Sequence, residues 1–503
     1  MLAVALLAVA LLAVALLEVS LLKQPVSRSS PSRVLRGKVT WAVTFEGNGQ
    51  LAESDYAGVV AGLLAVSKEE KGTANLSSLL EAFDYVVGNS GGVWYSGMLA
   101  YSEKVRSAQE SMGSFPERAG AIWNQEVFSS EDVAAMLEGG KTSWYDAIEE
   151  MKRTSAGLLG HIELGNITAM QSWVKGKIWL MAVSLPTGSR SERIRVNSTL
   201  TYAINNWQEV SMGNTYIPAV ISVKLDKNTA DSPAPFPICG EQCKQLKMVH
   251  YGGCEESSGD INAVQAFSRP GRFLFTGVLT SSSAYLMSND IGNVSDGESV
   301  SQLAWVQPGT THPFLSGEEA VVYHHSSEDV CKSFALGDGA YTDNTGIANA
   351  VAAGADVVTA FLNGDSLSTW LEALSDPSHG YGVFKESLQE SMQNSQERHT
   401  IYNVTENRIS VTFVIVRVTT AQSLWFDVSE GKQVQLNLIV IEGFLDATWY
   451  WSVYPGVKSF GWLVQSLVDS VAASENREVA KWVLSEFFGQ KDFKNQLDVP
   501  LYP

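Results

Sequence analysis

Ala82-Phe83-Asp84-Tyr85-Val86-Val87-Gly88-Asn89-Ser90-Gly91-Gly92-Val93-Trp94-Tyr95 is the stretch from which the fold can be read. Its first six residues are apolar and aromatic enough for a buried strand, and a helical pattern runs from Val93 to about Val105. Between them lies Gly88-Asn89-Ser90-Gly91-Gly92, a Gly-x-Ser-x-Gly turn. A serine at a tight strand-to-helix turn is held in a strained conformation, and glycines on either side relieve the crowding. The helix that follows aims its first N–H groups at the serine, where they favour a developing oxyanion. Ser90 is therefore a candidate nucleophile. The same residues also suit a plain β–α turn, so the case depends on what surrounds them.

Upstream, residues 39–45 (Val-Thr-Trp-Ala-Val-Thr-Phe) read as a strand ending in the turn Gly47-Asn48-Gly49. Apolar residues at Val59, Val60, Leu63, Leu64 and Val66 then have helical spacing. A similar unit comes late in the chain: Asp338-Gly339-Ala340, a short helix near 346–353, and an apolar strand at 356–362. This rhythm predicts an α/β fold, a mainly parallel central sheet with helices on both faces. Residues 110–330 are mixed, and the Gly/Ser/Pro-rich part from 227 to 316 reads as a loop-rich cap over the site. Strands at 409–418 and 434–441 and a helix near 475–488 make 405–503 an α+β extension of one domain spanning 39–503.

The chain has 503 residues, 45% of them hydrophobic and 18% charged, which is ordinary globular composition. A net charge of −19 argues against nucleic acid, which requires clustered Lys and Arg. The four cysteines, Cys239, Cys243, Cys254 and Cys331, suit one or two disulfides in an oxidising compartment and lack the paired spacing of a zinc site. The acidic loop from Asp290 to Glu298 misses the spacing of a calcium-binding loop. No metal or cofactor is expected. Residues 1–22 repeat Leu-Ala-Val-Ala-Leu and read as an apolar signal or anchor segment, followed by a Ser- and Pro-containing linker at 23–38. Basic residues after the apolar segment would keep the downstream side cytosolic, whereas five sequons (Asn75, Asn166, Asn197, Asn293, Asn403) favour a lumen. The secretory pathway, with the protein secreted or membrane-anchored, is the expectation. Trp449-Tyr450-Trp451, Tyr454, Phe460 and Trp462 form an aromatic cluster that suits either packing or a lipid-facing patch.

Two arrangements could activate Ser90. Its turn is close to the serine motif of chymotrypsin-like enzymes, but those need an upstream His, and the first here is His161. An α/β-hydrolase triad of Ser90, Asp338 and His379 or His399 has an allowed order. The more specific match is to another family. Tyr85 to Tyr95 resembles the nucleophile elbow of the cytosolic phospholipase A2 and patatin-like superfamily, including the Trp-Tyr that opens its helix. Gly47-Asn48-Gly49 stands where that family has its glycine-rich oxyanion loop, and Asp338-Gly339-Ala340-Tyr341-Thr342-Asp343-Asn344 resembles its Asp-Gly-Gly or Asp-Ser-Gly motif. Gly354-Ala355-Asp356-Val357-Val358 resembles the strand that follows.

The resemblance implies a Ser90–Asp338 dyad without His, and an oxyanion hole at Gly47, Asn48, Gly49 and Gly91. It also implies a lipid or phospholipid acyl ester as substrate, at a membrane. Asn48 interrupts the family's glycine run, and Leu51 stands where its phospholipase branch has a phosphate-binding Arg. The alternatives are the Ser-His-Asp esterase and a catalytically inactive, membrane-anchored binding member.

Overall fold

A computed structural model describes residues 38–127, 157, 171–186, 216–224, 337–363, 367–377, 382–402, 409–423, 426–442 and 458–494. Thr40–Pro503 forms one compact unit; of the separate unit Met1–Val39, only Lys38 and Val39 are described. The expected segments 1–22 and 227–316, the linker 23–38 apart from Lys38, the four cysteines and the acidic loop at 290–298 thus lie outside the described residues. So do four of the five sequons. Asn75 is exposed, and its Oδ1 accepts the Ser78 N–H at 2.9 Å. Among the described residues, no helix is long and apolar enough to cross a membrane.

The fold is α/β. The first strand, β1 (Trp41–Phe45), leads through a three-residue turn into helix α1 (Gly49–Lys71), and β2 (Tyr85–Asn89) leads into α2 (Gly91–Tyr101). Helices α3 (Glu103–Ser114) and α4 (Ala119–Glu126) follow, then β3 (Ile178–Pro186) and β4 (Tyr216–Lys224). After the two-residue β5 (Gly337–Asp338) come α5 (Ala340–Asp343), α6 (Ile347–Ala352), β6 (Val357–Asn363), α7 (Leu367–Ser375) and α8 (Leu388–Gln393). Strands β7 (Arg398–Tyr402), β8 (Ser410–Thr419) and β9 (Gln433–Glu442) and helices α9 (Lys458–Ala472) and α10 (Arg477–Glu486) complete the order.

One sheet runs β4-β3-β2-β1-β6-β9-β8-β7, with β5 paired to β3. The five strands β3, β2, β1, β6 and β9 are parallel, whereas β4, β5, β8 and β7 pair antiparallel. The expected mainly parallel sheet is thus a mixed one, parallel in the centre and antiparallel at both flanks. Parallel neighbours need a crossover, and the helices supply it.

Consecutive strand residues alternate between two cores. Val43, Phe45, Val86, Met181 and Phe361 join the side chains of α1, α2 and α9 in one. Ala42, Val87, Leu180, Val358 and Ala360 join α6 and α7 in the other. Phe460 and Trp462 pack with the first core, while the remaining aromatics of their cluster lie outside the described residues. The helix expected from Val93 to Val105 is two helices, broken at Ser102. That residue is extended (φ −102°, ψ 114°), and its hydroxyl accepts the Val105 N–H at 3.1 Å. A serine cap won over a continuous apolar pattern.

Candidate active site

Three chain segments meet at the carboxyl ends of β1 and β2. Ser90 sits between β2 and α2 with φ 47° and ψ −121°, a region that non-glycine residues seldom adopt. Its carbonyl accepts the N–H groups of Val93 and Trp94 at 2.9 and 3.2 Å, which locks the turn into the helix start. A Cβ added to Gly92 would run into the Phe45 carbonyl, so β1 leaves room only for glycine there. All eleven residues of α2 are buried, so the elbow stands on a helix enclosed by protein.

The sheet register brings in the acid. On β3, Ala182 pairs with Asn89 of β2, and the next residue, Val183, pairs with Asp338 of β5. Strand β4 occupies the other edge of β3 along its whole length. Asp338 therefore takes the ladder position just beyond Asn89, the one Ser90 leaves by turning. Asp338 is buried, its Oδ1 accepts the Ala340 N–H at 2.8 Å, and the Ser90 hydroxyl donates to its carboxylate. Burial pushes its pKa up to about 8; the Ala340 N–H and the Ser90 hydroxyl pull the other way by stabilising the anion.

The turn after β1 closes over the elbow. A Cβ on Gly47 would lie 2.8 Å from the Ser90 Cβ, and one on Gly91 would lie 2.6 Å from the Gly49 nitrogen. Asn48 adopts φ 150° and ψ 40°, with its side chain exposed and its Nδ2 donating to Asn363 Oδ1 at 3.3 Å. Gly49 and Gly91 each open a helix, so their N–H groups have no acceptor within it and remain suited to an anion. Gly47 differs from the expectation. Its N–H donates to the Asn344 carbonyl at 3.2 Å, so it provides close approach to Ser90 and no donor. Leu51 is buried in the core on α1 and brings no cation to the site.

His399 lies on β7, five strands away from β2 in the sheet, which at about 4.8 Å per strand is roughly 24 Å. Its ring packs against Trp482 at 4.8 Å. His379 lies outside the described residues. No group of residues that could hold a metal ion is found among the described residues.

Sequence reasoning missed the polar floor under the elbow. Glu46, the residue after β1, is buried and accepts the Asn363 N–H at 2.6 Å and the Asn344 Nδ2 at 2.9 Å. Asn344 Oδ1 accepts the Asn89 Nδ2 at 2.6 Å. Burial raises the Glu46 pKa well above the usual carboxylate range. The Asn363 and Asn344 donors oppose the shift, and Asp343 and Asp55 add to it. An ionisable residue between an apolar strand and a glycine turn was the available signal.

No family model matches the chain, and no curated protein matches it. Among solved structures, the chain is similar to human GIVD cytosolic phospholipase A2, at 12% identity over 90% of this chain with a TM-score of 0.34. The same human enzyme in complex with methyl gamma-linolenyl fluorophosphonate and terbium chloride is similar at 15% identity over 90% of this chain, with a TM-score of 0.35. The chain spans 63% and 60% of those two chains.

Proposed function

We propose that this chain is a serine acyl hydrolase of patatin or cytosolic phospholipase A2 type, acting on a lipid acyl ester through Ser90 and Asp338. The observation that carries the reading is the hydroxyl of a backbone-strained Ser90 donating to a buried carboxyl whose pKa is about 8. An aspartate near its ordinary pKa of about 4 is a weak base, and one shifted toward neutrality is a competent one. Direct contact with the hydroxyl removes the need for an intervening His.

In the proposed reaction, the Ser90 Oγ attacks the ester carbonyl while its proton passes to Asp338. The N–H groups of Gly49 and Gly91 receive the charge that develops on the carbonyl oxygen. Collapse expels the alcohol, which takes the proton back from Asp338, and the acyl group stays on Ser90. Asp338 then deprotonates a water that attacks the acyl-enzyme, releasing the fatty acid and restoring the serine. The lipid part of the proposal rests on the three motifs in their chain order. With Leu51 in place of an Arg, the ester rather than a phosphate head group is the recognised feature. Membrane association through residues 1–22 and passage through the secretory pathway belong to the same proposal. A mobility shift on deglycosylation of the expressed protein tests the route.

The function is tested by a fluorophosphonate. Peptide mapping should find the adduct on Ser90, and Ser90→Ala should abolish hydrolysis of long-chain p-nitrophenyl esters and of phosphatidylcholine and lysophosphatidylcholine vesicles. Undiminished hydrolysis by that variant would sink the proposal.

A further inference from the structure

The proposed reaction has no step for the buried carboxyl of Glu46, yet the three segments of the site converge on it. Glu46 directly follows β1 and adjoins the Gly47-Asn48-Gly49 turn. Through Asn344 it reaches the loop that carries Asp338, and through Asn344 Oδ1 it reaches Asn89, the residue before Ser90. The Asn344 carbonyl also takes the Gly47 N–H at 3.2 Å and the Asn89 Nδ2 at 3.3 Å.

We infer that Glu46 is a positioning residue: it fixes the direction of the Asn344 and Asn89 side-chain amides and thereby holds the elbow against the Asp338 loop. The inference rests on the hydrolase reading above. Each Glu46 oxygen accepts an N–H, one from the Asn363 backbone and one from the Asn344 side chain, so both face donors. Asn344 must then turn its NH2 toward Glu46 and its oxygen toward Asn89. Asn89 must in turn give its NH2 to Asn344, which leaves its Oδ1 facing Gly339, where a Cβ would collide with it. The polarity set at Glu46 is thus delivered to the residue that follows the acid. An amide at position 46 would present a donor to a donor in one of its two orientations, and would lose the Asn363 N–H in the other.

The test moves the carboxyl group one link along. In the full-length protein, Glu46→Gln should lower kcat about tenfold to a hundredfold, the scale of a small misplacement of reacting groups, and leave KM within about twofold. Asn344→Asp alone sets two carboxyls face to face and should lose activity similarly. The double variant E46Q/N344D keeps every hydrogen bond in the chain and should recover to within about threefold of the parent. Rates are counted per fluorophosphonate-reactive site, so a purely structural role would change the number of sites and the melting midpoint and leave kcat per site alone.

A kcat per site in E46Q equal to the parent's, or a double variant no better than the single ones, overturns the inference. Should E46Q not fold, Asn89→Ala carries the test, because it removes the last link and leaves Glu46 and Asn344 paired. An unchanged kcat there overturns it too. A parent protein that neither labels at Ser90 nor hydrolyses esters is a different outcome. It removes the hydrolase reading, and this inference with it.

Discussion

Asp338, buried and with a pKa of about 8, changes charge across the range in which ester hydrolysis is measured. Only its ionised form can take the Ser90 proton. The kcat/KM of the parent should therefore rise about tenfold per pH unit below that pKa and level off above it. A flat profile from pH 5 to 9 would contradict the assigned base. The same shift has a consequence for stability. Because the folded pKa lies above the unfolded value of 3.8, the folded chain holds more protons than the unfolded one between pH 4 and 8. Its contribution is full below pH 4 and is lost as the pH rises through about 8. Asp338→Asn removes this loss, so its melting midpoint should exceed the parent's at pH 9 and match it near pH 4. At this scale, Ser90 and Asp338 were legible as ordered motifs, because glycine turns leave a trace in sequence. Glu46, Asn344 and Asn89 were not, since a hydrogen-bonded relay among residues up to about 300 positions apart has no local pattern.

Among the elements, α1 shows how close packing hides from periodicity. Its residues from Gln50 to Ser67 are all buried, so the apolar stripe used to recognise a helix is only part of the buried surface. Gly58 and Gly62 are what let α9 approach: a Cβ on Gly62 would lie 2.6 Å from the Val471 Cβ, and one on Gly58 2.7 Å from the Leu467 Cβ. An alanine normally favours a helix over glycine by about 1 kcal/mol, but overpacking typically costs 1–3 kcal/mol. Gly62→Ala should therefore lower the stability, read as a lower denaturant midpoint with unchanged slope. A midpoint at or above the parent's would mean that the two helices separate without strain. The strands β1, β2, β6, β8 and β9 were legible within two or three residues at each end because buried strands are written as β-branched runs. Strands β3 and β4 were not placed in the mixed region from 110 to 330, and α9 follows an aromatic stretch that gave no helical start signal.

In the whole molecule, the sheet puts the candidate site at the carboxyl ends of its parallel strands and places His399 on β7, the strand at the far edge. His399→Ala should keep kcat within about twofold while losing its edge contact with Trp482, worth about 1 kcal/mol. A loss of a hundredfold or more would revive the Ser-His-Asp alternative. The mixed sheet was half legible: crossover units in the sequence predict its parallel centre, and the antiparallel flanks depend on pairings between segments distant in the chain.

The pairing of β5 with β3 also sets an order in time. A ribosome adds roughly 10 residues per second, so about 25 s of translation separate the emergence of Ser90 from that of Asp338. Throughout that interval the nascent chain carries an alcohol with no partner to ionise it. A polypeptide released early would lack the Ser90–Asp338 contact, which forms only once the later half has docked.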